Sequence, residues 1–111
     1  MPRRLNLGWN LTDVRVSMVT VKVFGNLRKI VGASECRIDI GGNYNTIGHL
    51  LFSFARQYGQ QLKHELFDSE GEIRPTYSVL VNGGNITSFS GLETKLKEDD
   101  VVAILPVVEG G

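Results

Sequence analysis

Cysteine is nearly absent, Cys36 being the single thiol in the chain. One thiol excludes an intramolecular disulfide, an all-cysteine zinc site and a cysteine-ligated iron–sulfur cluster. Cys36 stands in the alternating stretch "SECRIDI", where a half-buried structural role outweighs a catalytic one. Histidine is scarce as well. His49 falls beside the apolar stripe of a helical pattern and His64 lies in a charged segment. Neither has the spacing of a metal site or of a nucleophile–histidine–carboxylate set, so both read as ordinary surface or boundary residues. No apolar run approaches the roughly 20 residues that span a bilayer. The N-terminal arginines are not followed by the apolar core of a secretory signal, so a cytoplasmic location without membrane association is expected. Net charge is absent too, with 12 Lys+Arg against 12 Asp+Glu, so no bulk field draws the chain to nucleic acid or membrane.

What is present is an ordinary globular composition, 41% apolar and 22% charged over 111 residues, the size of one domain with its own core. Charge is unevenly spread. Nine acids face three bases after His64, whereas the first 37 residues hold seven bases and two acids. An acidic C-terminal half favours a basic partner surface through encounter rate, and equally serves as a solvated face.

Residues 1–17 show no sustained period and read as a flexible N-terminal tail, although Trp9 is a large aromatic able to dock. The domain proper is expected over 18–106. "MVTVKVF" alternates β-branched residues and predicts a strand. "GNLRKIVGAS" reads as a turn, and "ECRIDI" as a second strand completing a hairpin. In "NTIGHLLFSFARQYG", Ile47, Leu50, Leu51, Phe54, Ala55 and Tyr58 form one stripe at helical spacing, with Asn45 or Thr46 as cap and Gly59 as stop. Another helical turn is expected around Leu62, Leu66 and Phe67. Strand 77–81 then enters a turn at "NGGN", followed by a short strand around Ile86, a tight helical turn at "SGLETKL" and an exposed "KEDD" loop. "VVAILP" (101–106) reads as a central strand buried on both faces, parallel to the first. The order ββ-α-ββ-β predicts an α+β fold, a mixed β-grasp (ubiquitin-like) sheet curved around one main helix.

Several motifs are weak. "VNGGN" lacks dinucleotide-loop spacing, "GLETK" is no phosphate loop, and Glu98-Asp99-Asp100 reads as a solvated turn in preference to a cation site. The last residues are more informative. With Gly at 13 of 111 positions, two final glycines arise by chance in about one or two chains in a hundred. Here they follow an apolar strand and Pro106, which stops it, leaving 107–111 as a flexible tail. A terminus without Cβ atoms fits a channel too narrow for side chains. Its α-carboxylate is ionised at neutral pH and is a poor electrophile until ATP converts it to an acyl-adenylate. A thiol, sulfide or amine then displaces AMP.

"VTVKVFGNLRKIVG", "VLVNG" and "GLETKLKEDDVVAILPVVEGG" together resemble the MoaD/ThiS sulfur-carrier family, in particular its archaeal branch of small ubiquitin-like modifiers, over about 18–111. The resemblance implies a C-terminal glycine, here Gly111, adenylated by an E1-like enzyme and converted to a thiocarboxylate. It implies sulfur transfer in a MoaE-like large subunit, or isopeptide bonds to lysines of target proteins. It implies no bound cofactor, ATP being consumed in trans, and no catalysis by the chain alone. Gly110 matches the narrow-channel neighbour, and Pro106, Val107, Val108 and Glu109 match the tail that lies in the partner's groove. Many relatives carry two prolines and a small residue where this chain has Pro106-Val107-Val108-Glu109. The competing expectation is a β-grasp interaction module without C-terminal chemistry.

Overall fold

Val19, Val21 and Val23 alternate with Met18, Thr20 and Lys22, and that period of two sets the first strand. The computed structural model describes residues 17–41 and 45–107. Strand β1 (Met18–Val23) buries its three valines completely. Helix α1 (Asn26–Val31) leads to β2 (Glu35–Asp39), which pairs antiparallel with β1, Val21 opposite Cys36 and Val19 opposite Ile38. The "GNLRKIVGAS" stretch is therefore a helix and not the plain turn its two glycines imply. Leu27 is fully buried, and Gly32 closes the last turn in the left-handed region.

Helix α2 (Ile47–Tyr58) begins at Thr46, whose Oγ1 accepts from the His49 N–H at 3.2 Å, and stops at Gly59. The predicted stripe is the buried one: Ile47, Leu50, Leu51, Phe54 and Ala55 face the sheet, and Tyr58 is half-buried. Each fully buried Leu, Ile or Phe contributes about 1.5–3 kcal/mol of transfer free energy. Helix α3 (Gln60–Leu66) follows after Gly59 and buries Leu62 and Leu66.

Strand β3 (Tyr77–Val81) turns through Asn82 (φ 50°) and Gly83 (φ 90°) into the two-residue β4 (Gly84–Asn85). Positive φ at both central positions is what a tight hairpin turn demands, which accounts for Asn-Gly there. The short strand expected around Ile86 lies at Gly84–Asn85 instead. Residues Ile86–Ser88 form a 3₁₀ turn, with Asn85 Oδ1 accepting from the Thr87 N–H at 2.9 Å. A second 3₁₀ turn, Gly91–Glu93, matches the helical turn expected in "SGLETKL". Strand β5 (Val101–Pro106) completes the sheet.

Among the described residues the strand order is β2-β1-β5-β3-β4. β5 lies in the middle, parallel to β1 and antiparallel to β3. This is the expected ubiquitin-like β-grasp arrangement, a mixed sheet with its helices on one face.

Two expectations fail here. β5 is not buried on both faces: Val102 and Ile104 are fully buried, while Val101, Ala103 and Leu105 are half-buried on the opposite, helix-free face. The "KEDD" acids are not all solvated either. Asp100 is only 5% exposed. Its Oδ1 accepts from Asn82 Nδ2 and its Oδ2 from the Lys97 N–H, each at 2.9 Å. Its carbonyl accepts from the Thr20 N–H at 3.0 Å, and Asn82 Oδ1 accepts from the Val101 N–H at 2.9 Å. A buried carboxylate survives because these partners satisfy it. The result is a polar clasp joining the Asn82 turn to the start of β5 and to β1.

Candidate functional site

The end of β5 is where the sequence points, and its surroundings are described up to Val107. On one side β1 parts from β5 after Val23 pairs with Ile104. The backbone then turns at Gly25 (φ 62°), where an added Cβ would lie 3.4 Å from Pro106 Cγ. Pro106 therefore rests against a glycine and brings no N–H of its own. On the other side the ladder runs further, with Pro106 opposite Tyr77 and the Val107 N–H donating to the Thr76 carbonyl at 2.8 Å.

Beyond Thr76 the β3 side has no donor left. Pro75 lacks an N–H, and the Arg74 N–H is committed to the Leu66 carbonyl at 2.8 Å. A strand extends only where its backbone groups find partners, and the last ladder bond among the described residues is the one from Val107. Pro106 is exposed, and Val107 is 45% exposed. Val108, Glu109, Gly110 and Gly111, the rest of the expected tail, lie outside the described residues, as do Trp9 and residues 1–16.

The corner opposite the tail root is firmly held. Arg74 Nε donates to the His64 carbonyl at 2.7 Å, and the Tyr77 N–H to the Arg74 carbonyl at 3.0 Å. Tyr77, only 8% exposed, donates its phenol proton to Glu65 Oε2 at 2.5 Å. Burial first, then the bond to Glu65 and that residue's negative charge, together push the Tyr77 phenol up to about 12.

The helix-free sheet face beside this exit divides in two. Over β1 and β2 it is charged, with Lys22 opposite Glu35, Thr20 opposite Arg37 and Met18 opposite Asp39. Over β5 and β3 it is apolar. Val101, Ala103, Leu105 and Leu80 are half-buried there, Leu80 opposite Ala103 and Ser78 opposite Leu105. Sequence reasoning missed this face because a run such as "VVAILP" carries no period to tell one covered face from two. The small Ala103 between larger residues and the alternation in "YSVLV" were the available signals.

Cys36 is half-buried, and burial raises its thiol pKa. A hydrogen bond with Tyr58 offsets part of that rise, and Glu35 adds to it. A thiol so held is a poor nucleophile. His49 and His64 are exposed, and no group of three or more His, Cys, Asp or Glu among the described residues is placed to hold a metal. No helix among them is long and apolar enough to cross a membrane.

The fold defines a ubiquitin-like protein whose central strand is the last described element before the C-terminus. The chain belongs to the ThiS family, which matches residues 21–111. It is 32% identical over 74 residues to a protein of Archaeoglobus fulgidus assigned as a sulfur carrier, covering 67% of this chain and 83% of that one. It is 31% identical over 93 residues to small archaeal modifier protein 3 of Haloferax volcanii, covering 82% and 96%. The solution structure of small archaeal modifier protein 1 from Methanosarcina acetivorans superposes with a TM-score of 0.71 at 35% identity, covering 87% of this chain and 99% of that one.

Proposed function

We propose that this protein carries sulfur, or is itself conjugated, through the α-carboxylate of Gly111. An E1-like enzyme attacks ATP with that carboxylate, forming a Gly111 acyl-adenylate and releasing pyrophosphate. Sulfide sulfur from a donor then displaces AMP, leaving a thiocarboxylate and a proton. The thiocarboxylate sulfur bonds to a precursor held by a MoaE-like large subunit, and water then cleaves the acyl carbon–sulfur bond, leaving the sulfur on the precursor and restoring the Gly111 carboxylate. Alternatively a lysine amine of a target protein attacks the activated carbonyl, and the product is an isopeptide.

The chain's own contribution is delivery. Gly110 and Gly111 offer no side chains to a narrow channel, and Pro106 to Glu109 lie in the partner's groove. The apolar half of the helix-free face, which runs to Leu105, gives that partner something to grip. The catalytic groups belong to the activating enzyme, and ATP is bound there.

One observation carries this reading. β5 sits in the centre of the sheet, its last ladder bond among the described residues is made by Val107, Pro75 and Arg74 offer no further donor, and the sequence runs on to Gly110-Gly111. Pyrophosphate exchange with the E1-like enzyme of the source organism tests it. Full-length chain should support exchange, and the chain lacking Gly111 should not. Equal exchange by both leaves only an interaction module with an inert terminus, the reading that the apolar sheet face alone supports.

A further inference from the structure

Three successive residues of α3 hold the corner against which the tail root lies. The His64 carbonyl accepts from Arg74 Nε at 2.7 Å, the Glu65 carboxylate from the Tyr77 phenol at 2.5 Å, and the Leu66 carbonyl from the Arg74 N–H at 2.8 Å. Helix capping accounts for part of this, since the last carbonyls of α3 lack intrahelical partners. It does not account for the Tyr77–Glu65 bond, which involves no helix carbonyl. Tyr77 stands opposite Pro106 in the ladder, and its neighbour Thr76 accepts the last hydrogen bond made by β5. Tyr77 is thus fixed from behind by one short helix, and Thr76 lies between it and Arg74, which the same helix holds.

We infer that His64–Leu66 of α3 and the Arg74–Tyr77 corner form a brace that holds the partners of Pro106 and Val107, and so fixes the point from which the last four residues run to the activating enzyme. The inference rests on the carrier reading above. Four residues follow Val107, which fully extended span at most about 13–14 Å. Releasing Pro106 and Val107 would add about 7 Å of untethered chain and spread the carboxylate over a larger volume. Misplacement by about an ångström already costs a reaction heavily, so fraying at the root lowers turnover even when the globular face docks normally. Arg74, Tyr77 and Glu65 are positioning residues; none touches the reacting carboxylate.

The test pairs a structural readout with a kinetic one on the full chain. Tyr77→Phe and Glu65→Ala break the phenol–carboxylate bond, while Glu65→Gln keeps an acceptor and loses the charge. Amide exchange at Val107 is followed by NMR, with the core amide of Val102 as the reference for global unfolding. In the two breaking variants Val107 should exchange about tenfold faster relative to Val102. Their adenylation kcat with the E1-like enzyme and ATP should fall about fivefold or more while KM stays within about twofold, and Glu65→Gln should restore both readouts. An unchanged Val107 amide, or a KM that rises while kcat holds, overturns the brace. If wild-type chain forms no adenylate, the carrier reading fails on that result alone, and the tether is still decided by Val107 exchange.

Discussion

Replacing Asn82 with alanine should cost this protein a large share of its stability, and the structure gives the amount. Asn82 Nδ2 satisfies the buried Asp100 carboxylate and Asn82 Oδ1 satisfies the Val101 N–H, both at 2.9 Å. Asn82→Ala leaves an acceptor and a donor without these partners. Each orphaned group costs about 1–3 kcal/mol, with the charged one towards the upper end. Asn82 also sits at φ 50°, where alanine pays roughly 1 kcal/mol that asparagine largely avoids. The sum is about 3–7 kcal/mol, against a total of about 5–15 for a domain of this kind. Urea denaturation followed by far-ultraviolet circular dichroism should show a lower midpoint at unchanged slope. Asn82→Gly separates the two causes, because it removes the same hydrogen bonds without the backbone strain and should recover about 1 kcal/mol. A loss below about 0.5 kcal/mol for Asn82→Ala would refute the clasp, since surface substitutions with no structural role fall in that range.

Leu105→Glu places a charge on the apolar half of the helix-free face. It should change folding stability by less than about 1 kcal/mol, yet raise KM for the activating enzyme about tenfold or more; an unchanged KM would remove that face from the docking surface. Gly111→Ala should fold as wild type and lose about tenfold or more of adenylation rate, measured by pyrophosphate exchange, because a methyl at the last carbon meets the channel wall; full activity would end the narrow-channel account. Tyr77 has a folded pKa raised from 10.0 to about 12. Its protonation therefore favours the folded state fully below pH 10, a contribution lost as pH climbs from 10 towards 12. Denaturation midpoints across that window should fall in wild type and fall less in Tyr77→Phe, and equal slopes would exclude the phenol as the source.

Much of the fold is legible because it is written in short-range periods. The valines of β1 and the Ile47–Tyr58 stripe of α2 declare themselves by spacing alone. The apolar content of "VVAILP" correctly locates β5 in the centre of the sheet, where it meets both β1 and β3. What stays hidden depends on partners distant in sequence. Helix α1 is six residues long between two glycines, too short to show a helical period and easily read as a turn. Asp100 sits among acids and reads as solvated, and only the fold brings Asn82 within 2.9 Å to bury it. The exposure of Val101, Ala103 and Leu105 follows from having helices on one face of the sheet only, a property of the assembled sheet and not of its strands. The Gly-Gly terminus is plain in the sequence. The neighbourhood of the last described ladder bond is not, because that requires knowing that Leu66 already occupies the Arg74 N–H.

The most direct measurement is the intact mass of the protein recovered from the cells that make it, with fragmentation to locate any change. The account predicts a population in which one oxygen at Gly111 is replaced by sulfur, or peptides whose lysines carry a Gly-Gly remnant from this chain. A terminus trimmed short of Gly111, or one found solely as the plain carboxylate with no such lysines, would contradict it.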